Sequence, residues 1–220
     1  VINLLRVCSR FLYRSSRFRD MQKTVIYLVR HGQTKGNVEK RIQGKLPVPL
    51  NELGREQAKK LGELFRCVPL HSVHSSPVHR TMETAKEIFT EPLVCPQFGE
   101  RDFGVLEGLT GEELRKRIPD IEQQWAKEKV DWTPPGGGET VREFQERCIS
   151  AFKNMVKENA GKTSLIVTHG GVIHSIIHWL HGGKPEEFFH MIGPENAEAV
   201  KITYDGKKYF VEHKKVSDPD

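Results

Sequence analysis

Apolar residues along this chain recur with two different spacings. Residues 24–29 form a continuous apolar run rich in β-branched side chains and end in a glycine-containing loop, which predicts a strand buried on both faces. Residues 163–168 read the same way, and residues 72–75 predict a short strand. Between these runs the spacing changes to that of helices. Asn51 opens one, with Leu53, Ala58, Leu61, Leu64 and Phe65 mostly on one side. Ser76 predicts an N-cap with Pro77 as first helical residue, followed by Val78, Met82, Ala85, Ile88 and Phe89 on one face. Thr140 and Glu143 predict a capping box ahead of Phe144, Cys148, Ala151, Phe152 and Met155. Val172, Ile173, Ile176, Ile177 and Leu180 mark another helix, and residues 197–212 a closing hairpin turning at Asp205-Gly206. Strands alternating with helices predict an α/β protein, a three-layer α/β/α sandwich with a largely parallel central sheet.

Charge divides the chain unevenly. Of 34 basic and 29 acidic residues, the first twenty positions hold five arginines (Arg6, Arg10, Arg14, Arg17, Arg19) and one acid, Asp20. The other 200 residues hold 29 bases and 28 acids, so the body is nearly neutral and its charge gives no reason to expect nucleic acid as a partner. The Arg- and Ser-containing leader has the composition of a mitochondrial transit peptide. The preferred expectation is that residues 1–20 precede a natural start at Met21 and stand outside a single domain of residues 21–220. No apolar run approaches the ~20 residues of a membrane-spanning helix, so no membrane partner is expected. Cys8, Cys67, Cys95 and Cys148 are widely spaced, which argues against a disulfide framework and fits a reducing compartment. The expected location is therefore cytoplasmic, or mitochondrial if the leader is a transit peptide.

The candidate chemistry lies in a duplicated arrangement. Arg30-His31-Gly32 ends the first strong strand, and Thr168-His169-Gly170-Gly171 ends the last. Ligands of open parallel sheets bind beyond the carboxyl ends of the strands, so both imidazoles can reach one crevice. The glycines let backbone N–H groups approach an anion such as phosphate. Arg80, in the first turn of the Ser76 helix, adds a guanidinium, and the segment from Glu100 to Gly108 offers the carboxylates Glu100 and Glu107. His71, His74, His178, His181, His190 and His213 read as surface or packing residues. His174, His178 and His181 share helical spacing but lack a carboxylate or thiolate partner in the pattern, so no metal site is assigned.

The motif Arg30-His31-Gly32-Gln33-Thr34-x-x-Asn37 resembles the histidine phosphatase superfamily of phosphoglycerate mutase-like proteins. The resemblance continues in order through Ile42-Gln43-Gly44, Pro49-Leu50-Asn51, Ser75-Ser76-Pro77-x-x-Arg80, the Glu100 segment, Pro135-Gly-Gly-Gly-Glu139-Thr140 and Thr168-His169-Gly170-Gly171. It implies that His31 is the nucleophile that becomes phosphohistidine. It places Arg30, Asn37, Arg80, His169 and the backbone of Gly170 around the phosphate, and Glu100, rather than Glu107, as proton donor. Thr34, Gln43 and Gly44 match positions lining the substrate side. No cofactor or metal is implied.

Gly36 stands where the glycolytic mutases commonly carry tryptophan, and the glycine-rich block at 135–140 resembles the phosphatase branch and fructose-2,6-bisphosphatase-like members. Pro47 and His174 depart from the aspartate and arginine that many members carry there. The expectation is a cofactor-independent phosphatase acting on a small phosphorylated metabolite. The alternatives are a phosphoglycerate mutase and a non-catalytic phospholigand-binding scaffold. The sequence leaves the oligomeric state open.

Overall fold

A computed structural model describes residues 23–190 and 193–214 of the 220-residue chain; the basic leader lies outside the described residues. Six strands form one sheet: β1 (Thr24–Arg30), β2 (Ser72–Ser75), β3 (Leu93–Val94), β4 (Thr163–Thr168), β5 (Ala199–Tyr204) and β6 (Tyr209–Lys214), in the order β3-β2-β4-β1-β5-β6. β1, β2, β3 and β4 pair in parallel, whereas β5 and β6 run antiparallel at one edge. The sheet is thus largely parallel, and the expected hairpin supplies its antiparallel edge. That hairpin turns through residues 205–208, where Asp205 Oδ1 accepts from the N–H groups of Lys207 and Lys208.

The apolar run of β1 is continuous because both sides of the strand are covered. Ile26 and Leu28 pack with Ile166 and Val200 against α6 (Val141–Glu158) and α7 (Gly170–Leu180), through Phe144, Phe152 and Ile173. Tyr27 and Val29 face the other way, with Val73 and Val167, onto α2 (Glu52–Phe65) and α3 (His79–Ile88), through Leu61, Phe65 and Ala85. These are the three layers. Leu28 is fully buried, and truncating it to alanine would cost about 2–5 kcal/mol. A smaller apolar cluster of Leu106, Leu114, Ile121 and Trp132 anchors α4 (Gly111–Arg117) and α5 (Ile121–Glu128) beside the sheet edge that carries the site.

Two helix readings change. α3 begins at His79, with Val78 at its N-cap and no side-chain cap, so Ser76 and Pro77 precede the helix. Its buried face is polar, made by Arg80, Thr81 and Thr84 beside Ala85, while Phe89 is exposed. Leu53, expected on the inner face of α2, is also exposed. The capping boxes of Thr140 on α6 and of Thr34 on the short α1 (Lys35–Val38) are both formed. Among the described residues Cys95 and Cys148 carry free thiols. No described helix is long and apolar enough to cross a membrane.

Candidate active site

The parallel pairing of β1 with β4 aligns Arg30 with Thr168, so the next residues, His31 and His169, leave the sheet side by side. Their ring centroids are 5.4 Å apart. Between them lies Arg80, carried over the sheet edge by the first turn of α3 and 1% exposed. Its Nε donates to His31 Nε2 at 3.2 Å, and its Nη2 lies 3.2 Å from His169 Nδ1. The rest of the guanidinium is fixed by the carbonyls of Gly44 (2.8 Å) and Leu46 (2.9 Å). Burial lowers the Arg80 pKa to about 10, which leaves it a cation at neutral pH.

These contacts define the imidazole tautomers, because a guanidinium cannot accept a hydrogen bond. His31 Nδ1 lies 2.7 Å from the Gly32 carbonyl and must donate to it, leaving Nε2 unprotonated with its lone pair accepting from Arg80. His169 is held the other way round. Its Nε2 donates to Ser76 Oγ at 2.7 Å, and Nδ1 carries the lone pair facing Arg80. The Ser76 hydroxyl, expected to cap α3, is used here, with Thr81 Oγ1 at 2.9 Å behind it. Burial, reinforced by the positive charge of Arg80, holds both imidazoles well below the ordinary histidine pKa, so both are neutral at pH 7.

Around this pair the pocket is lined by Arg30, His31, Asn37, Gln43, Gly44, Arg80, Glu100 and Gly170, among others, and holds about 360 Å³. Arg30 Nη1 donates to the Pro194 carbonyl, and its guanidinium lies against Gly170, where a Cβ would meet it at 3.4 Å. Asn37 Oδ1 accepts from Thr34 N, Thr34 Oγ1 and Asn196 Nδ2, which leaves the amide Nδ2 as the end free to turn to an anion. Thr34 is fully buried behind the pocket wall, its Oγ1 also 2.8 Å from Gln43 Oε1. Gly36 packs against that Gln43 side chain so closely that a Cβ would collide with it.

The two carboxylates have different surroundings. Glu100 follows a 3-10 turn (Pro96–Phe98) tied to the end of β4 by Thr168 Oγ1, which donates to the Phe98 carbonyl at 2.6 Å. Its Oε2 accepts from Gly171 N at 3.2 Å, and a Cβ at Gly171 would displace it. Arg147, locked to Glu139 by two contacts of 2.6 and 2.7 Å, clamps the preceding carbonyls of Gln97 and Gly99. Glu107 lies outside the pocket lining. Its Oε1 accepts from Lys45 N and Phe103 N and fills the space a side chain at Gly44 (φ +47) would need. Glu107 thus braces the loop whose carbonyls hold Arg80.

Ser76, Asn196 and Arg101 are part of this constellation and were not singled out from the sequence. Asn196 Nδ2 bridges the His31 carbonyl and Asn37 Oδ1, and the buried Arg101 donates to the carbonyls of Glu139 and Trp132. Ser76 and Arg101 lie within quoted motifs; Asn196 has no local signal. His174 and His178 are buried and packed edge to face on α7, with His178 Nε2 2.7 Å from the Lys184 carbonyl. Among the described residues no group of three His, Cys, Asp or Glu side chains could hold a metal ion.

Residues 26–216 match the histidine phosphatase superfamily (branch 1). The chain is 36% identical over 169 residues to phosphoglycerate mutase-like protein 4 of Arabidopsis thaliana, covering 73% of this chain and 74% of that one. It is 35% identical over 166 residues to the metal-independent phosphoserine phosphatase of the same plant, covering 71% and 68%. Among solved structures, YhfR of Bacillus stearothermophilus superposes with a TM-score of 0.76 at 30% identity, over 87% of this chain and 96% of that one. A putative α-ribazole-5'-P phosphatase of Escherichia coli gives 0.78 at 25% identity, over 86% and 95%. A match over nearly the whole described chain, joined to relatives above 30% identity, means that the chain belongs to the histidine phosphatase superfamily, whose members here are phosphatases and phosphoglycerate mutases.

Proposed function

We propose that this enzyme hydrolyses a small phosphomonoester, without metal or cofactor, through a phosphohistidine on His31. The observation that carries the reading is the His31 tautomer. Nδ1–H is held by the Gly32 carbonyl, so the Nε2 lone pair faces the pocket beside Arg80. In the first step Nε2 attacks phosphorus, the bond to the leaving oxygen breaks, and Glu100 delivers its proton to that oxygen. The positive charge arising on the phosphorylated ring is balanced through Nδ1–H and the Gly32 carbonyl. In the second step Glu100, now ionised, takes a proton from water; the water oxygen bonds to phosphorus and Nε2 leaves. Arg30, Arg80, Asn37 and the Gly170 backbone offer fixed donors to the charge spread over the phosphoryl oxygens, the main requirement of this chemistry.

The phosphatase names among the relatives support hydrolysis, and the mutase names keep phosphoryl return to substrate as the rival outcome. The test is incubation with an aryl phosphate and with 3-phosphoglycerate, in the presence of a chelator. Inorganic phosphate from the aryl phosphate, with an acid-labile phosphoenzyme and no isomerised phosphoglycerate, is the expected result. Isomerised phosphoglycerate without phosphate would replace hydrolysis by mutase action. No turnover and no label would leave only a binding scaffold.

A further inference from the structure

Beside the phosphoryl pocket lies a second, larger cleft of about 900 Å³, and Glu100 lines both. The carboxylate proposed to protonate the leaving oxygen thus stands at the boundary between them, with the phosphoryl donors on one side and the open cleft on the other. The organic part of the substrate has to begin at that boundary.

The chemistry of the cleft wall is specific. Its apolar surface comes from Pro47, Pro77, Val78, Met82 and Pro96. Most of its basic side chains already face acidic neighbours: Lys45 binds Asp102 at 2.6 Å, Arg147 is locked to Glu139, and His79 Nδ1 lies 2.6 Å from Glu83 Oε1. Lys86, exposed one turn beyond Met82 on α3, has no ion pair among the described residues. A second phosphate or carboxylate placed in this cleft would share Lys45 and Arg147 with the carboxylates already paired to them, lie near Glu100, Asp102 and Glu139, and find only the exposed Lys86 unpaired. An uncharged group would instead cover proline, valine and methionine surface that otherwise faces water.

Building on the phosphohistidine reading, we infer that the leaving-group cleft selects phosphomonoesters whose alcohol is uncharged and largely apolar, and disfavours bisphosphates and phosphocarboxylates. Met82 and Val78 are its specificity-determining contacts.

The test is competitive inhibition of aryl phosphate hydrolysis by n-alkylphosphonates from methyl to hexyl, beside α,ω-bisphosphonates of matching length. Each methylene buried in the cleft should lower the inhibition constant about three- to fourfold, and a terminal second phosphonate should reverse the gain. Met82→Lys should flatten the alkyl series and favour the bisphosphonates. A flat alkyl series, or tighter binding of bisphosphonates to the unaltered enzyme, overturns the inference while turnover and the phosphoenzyme leave the His31 reading standing. A series that stays steep in Met82→Lys puts the apolar contacts elsewhere and overturns the cleft assignment. Loss of all turnover and label would instead remove the phosphohistidine reading, and this inference with it.

Discussion

β1 and β4 lie side by side, and each hands a histidine to the same edge of the sheet, yet the two imidazoles are held by opposite nitrogens. His31 is fixed through Nδ1 by a carbonyl of the very next residue, so its orientation is set within its own loop. His169 is fixed through Nε2 by Ser76, 93 residues away on the loop that follows β2. The first arrangement presents Nε2 to the pocket, where His31 is part of the lining; the second buries the ring completely behind Arg80. On the proposed mechanism, two motifs that read alike along the chain become a reactive atom and a supporting one. The difference comes from which nitrogen the surrounding protein occupies.

Exchanging the roles is the severest challenge to that comparison. His31→Ala should reduce turnover by a factor on the order of 10⁴ to 10⁶ and abolish the phosphoenzyme. His169→Ala should cost on the order of 10² to 10³, with residual label still on His31. Rapid quench and peptide mapping under alkaline conditions distinguish them, and label on the His169 peptide would reverse the assignment. The two carboxylates give the next largest contrast. Glu100→Gln should lower turnover by a factor on the order of 10² to 10⁴, less for an aryl phosphate whose leaving group needs little protonation. Glu107→Gln should act through the Gly44 loop and show no such dependence on the leaving group. If the dependence follows Glu107 instead, that carboxylate is the acid.

The smallest effect tests the tautomers themselves. Ser76→Ala should lower turnover only about tenfold, the scale of one buried hydrogen bond. Nitrogen-15 NMR of labelled histidines should show His31 protonated on Nδ1 and His169 on Nε2, with only His169 altered by the substitution. Both rings should stay neutral as pH falls through 6.5, since burial and Arg80 hold their folded pKa values down. Because the unfolded histidines do take up protons there, stability should fall as pH drops below 6.5. A titration midpoint near 6.5 for either ring, or the same tautomer in both, would contradict the geometry.

Much of the fold was legible because its signals are local or repetitive. The runs of β1 and β4 announce burial on both faces by having no polar alternation, and the Thr140 capping box starts α6 where it should. Ser76 was misread for an instructive reason. Serine before proline is a good capping signal, but a capping hydroxyl contributes only about 1 kcal/mol, and a tertiary partner in a buried site outcompetes it. The inner face of α3 differs from its apolar periodicity because Arg80, Thr81 and Thr84 are buried beside the pocket. The His31–Asn37 loop and the Glu100 segment were found through motif resemblance. Asn196 could not be, since its partners His31 and Asn37 lie 165 and 159 residues away and its immediate neighbours carry no pattern.

The parallel register that pairs Arg30 with Thr168 also governs how the molecule comes into being. Those strands are joined through most of the chain, so a long loop must close before the first ladder bond between them can form. During synthesis His31 emerges early and waits for β4 and the start of α7 to arrive; no fragment that stops short of them contains the whole pocket lining. A phosphate-like ligand therefore has nothing to template on the nascent chain and recognises only the finished molecule. Its occupancy reports that the parallel strands have met.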